Sequence, residues 1–133
     1  MRYMLDTNIC LYIAKKKPIE VLERFEELTV GEVGMSTITY GELQFGLHKS
    51  EHPKKTLSIL EGLVGLIPPL PLPFETGRHY GKIRHTLEKK GQLIGNNDLW
   101  IAAHALALNL ILVSNNTKEF ERIPHLKLEN WIN

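Results

Sequence analysis

The chain has a single cysteine, Cys10, among its 133 residues. One thiol can form neither an internal disulfide nor a cysteine-based zinc site, a usage typical of proteins from reducing compartments. No apolar run approaches the ~20 residues that a membrane-spanning helix needs. The first residues also lack the basic stretch and long apolar segment of an export signal. We therefore expect a soluble, cytoplasmic protein.

The sequence also lacks an excess of charge of either sign. It has 16 basic and 15 acidic residues, for a formal net charge of +1. Any contact with nucleic acid must therefore come from a local basic patch and not from a global field. The hydrophobic fraction of 43% and the charged fraction of 23% are ordinary for a globular protein. We predict one domain over residues 1–133, with no disordered tail.

Short apolar runs alternate with helical patterns along the chain. Residues 3–5, 33–35 and 110–113 read as buried strands, and residues 126–131 as a final short strand. The four prolines within residues 66–73 restrict any strand there to a short or edge position. This alternation predicts an α/β sandwich around a central, mostly parallel sheet.

Several residues predict where the helices of this sandwich begin. Thr7 or Asn8 is expected to cap the first helix, Ser36 or Thr37 a later one, and Asn96 or Asn97 the helix that carries Asp98. Two further boundaries are marked by Pro53, at a helix start or stop, and by Gly91, after a helical segment over residues 74–90.

Acidic residues lie at predicted strand and helix ends. Asp6 follows the first strand, Glu42 lies about one turn inside the helix after the second, and Asp98 lies in the first turn of its helix. Parallel α/β sheets bind ligands beyond the carboxyl ends of their strands. Three carboxylates there would suit Mg²⁺, which activates water and stabilises charge on a phosphodiester. Taken singly, each acid also fits a capping, dipole-stabilised or solvated position.

Five ordered segments together resemble a PIN domain of the VapC toxin family. They are residues 4–8 (MLDTN), 36–43 (STITYGEL), 94–105 (IGNNDLWIAAHA), 113–120 (VSNNTKEF) and 128–131 (LENW). The resemblance spans essentially the whole chain and implies a PIN-like three-layer α/β/α sandwich. It also implies an endoribonuclease toxin that hydrolyses RNA phosphodiester bonds, with transfer RNA as the expected substrate, by a water activated by Mg²⁺ or Mn²⁺.

The resemblance further implies partners and a set of site residues. The expected partners are a VapB-type antitoxin and a second copy of the chain, with operator DNA reached only through the antitoxin. Asp6, Glu42 and Asp98 match the family's metal ligands. Asn116 stands where the family often has a fourth acid, and Glu119 could replace that acid if the segment is helical, because i and i+3 side chains share a face. The expected catalytic set is therefore Asp6, Glu42, Asp98, Asn116 and Glu119.

Other interpretations of the sequence remain open. The missing acid at Asn116 is compatible with a catalytically weak RNA-binding or regulatory module acting with an antitoxin, and a small phosphatase is a third hypothesis. The series His48, Glu51 and His52 fits a zinc-protease pattern, but Pro53 follows at once and no third ligand is evident.

Binding surfaces are less clearly encoded. Candidate phosphate contacts are Lys15, Lys16, Lys17, Arg78, Lys82, His85 and Lys89, although ordinary solvated faces account for them better. Candidate base-stacking residues are Tyr40, Tyr80 and Trp100, although aromatic residues of a small α/β domain usually lie in its core. The apolar first helices suit an antitoxin groove or simple core packing equally well.

Overall fold

The computed structural model describes residues 1–132, which form five strands and seven helices. The strands are β1 (Tyr3–Leu5), β2 (Val33–Ser36), β3 (Pro69–Leu70), β4 (Ile111–Val113) and β5 (Leu128–Glu129). The helices are α1 (Thr7–Lys15), α2 (Ile19–Glu26), α3 (Thr37–Lys49), α4 (Pro53–Leu66), α5 (Thr76–Lys89), α6 (Asn96–Leu108) and α7 (Thr117–Phe120).

The five strands form one parallel sheet in the order β3-β2-β1-β4-β5. β1 lies at its centre, with Leu5 opposite Met35 of β2 on one side and Val113 of β4 on the other. The proline-rich segment contributes only β3, two residues long and at the sheet edge, as its prolines predict.

Alternate side chains of the central strand enter two separate apolar cores. Tyr3 and Leu5 pack with residues of α1, α2, α3 and α4 on one face of the sheet. Met4 packs with residues of α5 and α6 on the other face. Because successive side chains of a strand point to opposite faces, β1 must be apolar at every position. The predicted three-layer α/β/α sandwich is therefore confirmed.

Two of the predicted helix caps are wrong. The residue that caps α1 is Asp6 and not Thr7 or Asn8, because the Asp6 carboxylate accepts the Ile9 N–H at 3.0 Å. At the start of α6 the capping position is Gly95, whose lack of a side chain leaves no side-chain cap, and Asn96 is already helical.

Three other predicted boundaries are confirmed. Ser36 caps α3 by accepting the Ile38 N–H at 3.1 Å, and Pro53 is the first residue of α4. Gly91 follows α5 with a φ of +63°, a conformation that favours glycine. No helix within residues 1–132 combines the length and apolar character required to cross a bilayer.

Candidate active site

Two neighbouring strands deliver polar residues to one edge of the sheet. Asp6 follows β1, and its N–H donates to the carbonyl of Val113, the last residue of β4, at 3.0 Å. Ser114 and Asn116 continue from β4 beside it. Because both strands end at this edge, residues more than a hundred positions apart in sequence become neighbours, as the sequence predicts.

Asp6 is the most enclosed acid of the group, with only 5% of its surface exposed. Its burial raises the pKa of the carboxyl, and the charge of Glu42 raises it further. Hydrogen bonds from the Ser114 hydroxyl and the Ile9 N–H partly offset this rise. Asp6 therefore caps α1 and also places its carboxylate at the sheet edge.

Glu42 is oriented by a residue that the sequence analysis did not select. The hydroxyl of Thr7 donates to Glu42 Oε1 at 2.5 Å and lies 3.3 Å from the hydroxyl of Thr39. Thr7 therefore links the start of α1 to α3. The only sequence signal for this role was its position directly after Asp6.

Asp98 shares the electrostatic environment of the other carboxylates. It is half-buried in the first turn of α6. Burial is the largest cause that raises its pKa from 3.8 to about 6, followed by the charges of Asp6, Glu42 and Glu119. The charges of acids from three other segments therefore act on Asp98.

The segment after β4 brings Glu119 to the site. Residues Thr117–Phe120 form the short helix α7, and the Asn116 amide donates to Glu119 Oε2 at 3.1 Å. The i and i+3 side chains therefore meet, which is the condition on which participation of Glu119 depended. All five predicted residues lie at this edge, with Asn116 holding Glu119 and Glu119 acting on Asp98 through its charge.

The donors present suit a hard divalent cation. Mg²⁺ and Mn²⁺ prefer carboxylate and amide oxygens, and a cation would relieve the repulsion that raises the pKa of Asp98. Among residues 1–132, however, no three His, Cys, Asp or Glu side chains are already drawn together closely enough to hold a metal ion. Mg²⁺ usually keeps several waters and binds through one or two carboxylates plus substrate phosphate, so Asp6, Glu42 and Asp98 are the residues that could hold the ion.

A buried histidine ties together the two helices that carry Glu42 and Asp98. His104 of α6 is fully buried, lying 2.8 Å from Ser36 Oγ and 3.0 Å from the Pro71 carbonyl. Because a carbonyl only accepts, Nε2 carries the proton and Nδ1 accepts from the Ser36 hydroxyl. The histidine is neutral, and burial lowers its pKa. Both ring nitrogens are engaged in these hydrogen bonds, so the histidine supports the site and is not placed to act as a base.

A cavity of about 720 Å³ adjoins the acidic group. Thr7, Glu42 and Asn97 line it on the side of the site, while Phe45 and Lys49 line it further along α3. A second, more apolar cleft of about 220 Å³ lies between α1, α3 and α4. Leu11, Ala14, Leu43, Ile59, Leu60 and Leu63 supply its apolar lining.

The remaining sequence candidates lie elsewhere. His48 lies near the end of α3, whereas His52 lies beyond it at the start of α4, so the zinc-protease pattern is not on one helix face. Tyr80 and Trp100 stack on each other with ring centroids 3.8 Å apart. The Tyr40 hydroxyl accepts a hydrogen bond from the Gln44 amide at 2.8 Å.

The sequence matches the family model described as the PIN domain over residues 3–126. It is 44% identical over 132 residues to a Haemophilus influenzae protein named Ribonuclease VapC2, with 99% of each chain covered. It is 42% identical to the Shigella flexneri protein named tRNA(fMet)-specific endonuclease VapC, with 98% of each covered.

The solved structures that this chain resembles are also VapBC proteins. The chain superimposes on a chain of the Rickettsia felis VapBC2 complex with a TM-score of 0.92 and 43% identity, covering 99% of this chain and 100% of that one. That complex was solved bound to a DNA fragment from its promoter. The chain also superimposes with a TM-score of 0.90 and 43% identity on a chain of VapBC-1 from nontypeable Haemophilus influenzae, with 98% of each covered.

Proposed function

Because the chain belongs to the PIN-domain family, and within it to the VapC ribonucleases, we propose that it is a divalent-cation-dependent endoribonuclease toxin that cleaves transfer RNA. The observation that carries the proposal is the meeting of Asp6, Glu42, Asp98 and Glu119, from four separate segments, at the carboxyl edge of the sheet. The named activity of the Shigella flexneri relative supports transfer RNA as the substrate class.

The electrostatics of the site support dependence on a cation. Four carboxylates would repel the phosphate backbone of RNA unless positive charge stood between them. A divalent cation held by Asp6, Glu42 and Asp98 would supply that charge and act as a Lewis acid toward the phosphodiester. With Asn116 in place of a further acid, we propose that one ion is held firmly.

The chain's own residues preorganise this site. The Ile9 N–H fixes one oxygen of Asp6, and the Thr7 hydroxyl fixes one oxygen of Glu42. The Ser114 hydroxyl also hydrogen-bonds the Asp6 carboxyl, so Asp6 is held by two donors. Such fixed groups lower the reorganisation needed at the moment of reaction. The buried Ser36–His104 contact holds α3 and α6 in register behind them.

Cleavage of initiator tRNA transcripts by the purified protein, with Mg²⁺, Mn²⁺ or EDTA, tests the proposal. We expect discrete cuts only with metal, and a loss of at least about 100-fold in rate for Asp98→Asn, since removal of one preorganised charge-stabilising group typically has an effect of this size. Glu121→Gln, an exposed acid just after α7, is the matched control and should cleave normally. Identical cleavage by wild type and Asp98→Asn would refute the proposed site.

The main alternative is an RNA-binding or regulatory module with little catalytic power. It is favoured by Asn116, which adds no negative charge. Calorimetric titration with Mn²⁺ discriminates the two, because binding that disappears in Asp6→Ala supports the enzyme and absence of binding supports the module. A phosphatase would instead hydrolyse a chromogenic phosphate monoester.

We further propose a VapB-type antitoxin as partner and a homodimer as the assembly. The similar chains from Rickettsia felis and Haemophilus influenzae were solved as VapBC complexes, the former on DNA. The apolar cleft lined by Leu11, Ile59 and Leu63 offers a surface for an amphipathic segment. Ile59→Glu should weaken antitoxin binding without unfolding the chain, as Ile59 is 42% exposed. Light scattering measures the mass of the free protein.

A further inference from the structure

The 720 Å³ cavity beside the acidic site has a feature that the proposed cation site does not use. Its wall on α3 carries Glu42, Phe45 and Lys49 in succession. Their spacing of i, i+3 and i+7 places them on one face of the helix. With a rise of 1.5 Å per residue, the stripe extends about 10 Å from the carboxylate.

Phe45 is an unusual residue for an exposed helix position. Its side chain is 63% exposed, although burying an aromatic ring is strongly favourable. The Lys49 ammonium lies 4.6 Å from the centre of its ring. Within residues 1–132, no acidic side chain lies within ion-pair distance of Lys49. The cavity therefore holds an exposed aromatic ring and, against it, a cation that has no carboxylate partner within the described residues.

Two glycines keep this wall open. Gly41 and Gly46 both line the cavity, and a Cβ built on either would meet no atom within 4 Å. Neither has a positive φ, so the backbone does not require glycine at these positions. In a helix interior glycine is less stable than alanine. The glycines therefore preserve space at some expense of helix stability.

We propose that this cavity is a nucleotide subsite, in which a base stacks on Phe45 and the adjoining phosphate binds Lys49 while the scissile phosphate lies at the acidic residues. The inference rests on the proposed ribonuclease function and extends it to substrate recognition. Stacking on a ring requires an unpaired base, so the subsite selects a single-stranded segment of RNA over a duplex. Phe45 and Lys49 are thus binding residues that position the substrate.

Binding of a fluorescein-labelled initiator tRNA transcript tests the subsite directly. It is measured in the Asp98→Asn background with Mg²⁺, so that binding is read without cleavage. Phe45→Leu keeps an apolar side chain but removes the ring, and we expect about tenfold weaker binding. Lys49→Gln should weaken binding and reduce the slope of log K against log salt by about 0.7, the value for one phosphate contact to a single strand.

Filling the cavity provides a test with opposite effects on folding and binding. Gly41→Leu should raise the melting temperature, because leucine is the better helix former, and yet weaken RNA binding by about tenfold or more. Gly62→Leu on α4 is the matched control, since that exposed glycine also has open space around it but does not line the cavity. Phe74→Leu is the control for the loss of an exposed ring, Phe74 being 97% exposed.

Cleavage kinetics separate the possible outcomes. In otherwise wild-type protein, Phe45→Leu should raise KM about tenfold with little change in kcat, because the contact is present before and during reaction. Normal tRNA binding and KM in both variants, with the wild type still cutting RNA, would overturn the subsite alone. Retained RNA binding with weakened antitoxin binding would assign the cavity to the antitoxin instead. A wild type that neither cuts nor binds tRNA would overturn the proposed function itself.

Discussion

Replacing Asp98 with asparagine should stabilise the metal-free protein, although it slows cleavage by at least about 100-fold. In the wild type, burial and the charges of Asp6, Glu42 and Glu119 raise the pKa of Asp98 from 3.8 to about 6. Above pH 6 the folded protein must hold a carboxylate that its surroundings disfavour. An amide of the same shape removes the charge, and with it the repulsion.

The size of this effect follows from the pKa. A rise from 3.8 to about 6 corresponds to at most about 3 kcal/mol. Asp98 is only half-buried, so solvent screening reduces this to about 1.5 to 2 kcal/mol. The carboxylate also gains about 0.5 kcal/mol from the dipole of α6, which asparagine loses. The net stabilisation at pH 7.5 is therefore about 1 kcal/mol, or about 4 °C in Tm.

The pH dependence gives the prediction its sign. The pKa of Asp98 is higher in the folded protein than in the unfolded chain. The contribution of Asp98 to stability is therefore fully present below about pH 4 and is lost as pH rises through 6. The advantage of Asp98→Asn should therefore be absent at pH 4 and complete at pH 7.5. Urea unfolding in EDTA at both pH values measures it, with Glu75→Gln as an exposed control. A variant less stable than wild type at pH 7.5, or an advantage independent of pH, would refute the reasoning.

Three further predictions concern the core around the site. His104→Phe removes hydrogen bonds to Ser36 and Pro71 and should lower the free energy of unfolding by about 1 to 3 kcal/mol at pH 7.5 in urea titrations. Burial lowers the pKa of His104 in the folded protein below its ordinary 6.5, so its contribution to stability is lost as pH falls below 6.5. The difference in unfolding free energy between wild type and His104→Phe should therefore shrink at pH 5.5. A difference that stays constant with pH would contradict this prediction. Burial, with a smaller contribution from Asp6, raises the pKa of the Cys10 thiol strongly, so a thiol reagent at pH 8 should label it only after unfolding, and rapid labelling of the native protein would disprove its enclosure. Leu112→Ala, at a fully buried position in β4, should lower the free energy of unfolding by about 2 to 5 kcal/mol in the same titrations. A loss below about 1 kcal/mol would mean that the core had closed over the space left by the leucine side chain.

Much of the fold could be predicted because its signals are local. The apolar runs at residues 3–5 and 110–113 identify β1 and β4, since strands covered on both faces need apolar side chains at every position. Pro53 and Gly91 mark helix boundaries through their own backbone preferences. The caps of α1 and α6 were harder, because several polar residues in a row, such as those around Asp6, can each satisfy the first turn.

The acidic site was predictable in its members but not in its supports. Asp6, Glu42 and Asp98 stand next to recognisable strand and helix ends. The role of Thr7 depends on the packing of α1 against α3, and the role of His104 depends on a loop carbonyl 33 residues away. Neither the packing of α1 against α3 nor the contact with the loop carbonyl can be recognised from periodicity or composition in the sequence.

By itself, the sequence determined which segments become strands and helices and which acids stand at their ends, because these properties follow from the chain's local pattern of apolar side chains. Only the tertiary structure decided the strand order β3-β2-β1-β4-β5, the approach of Glu119 to Asp98 and the open stripe of Phe45 and Lys49 beside Glu42. These depend on long-range packing, in which the position of each group is set by the side chains of distant segments.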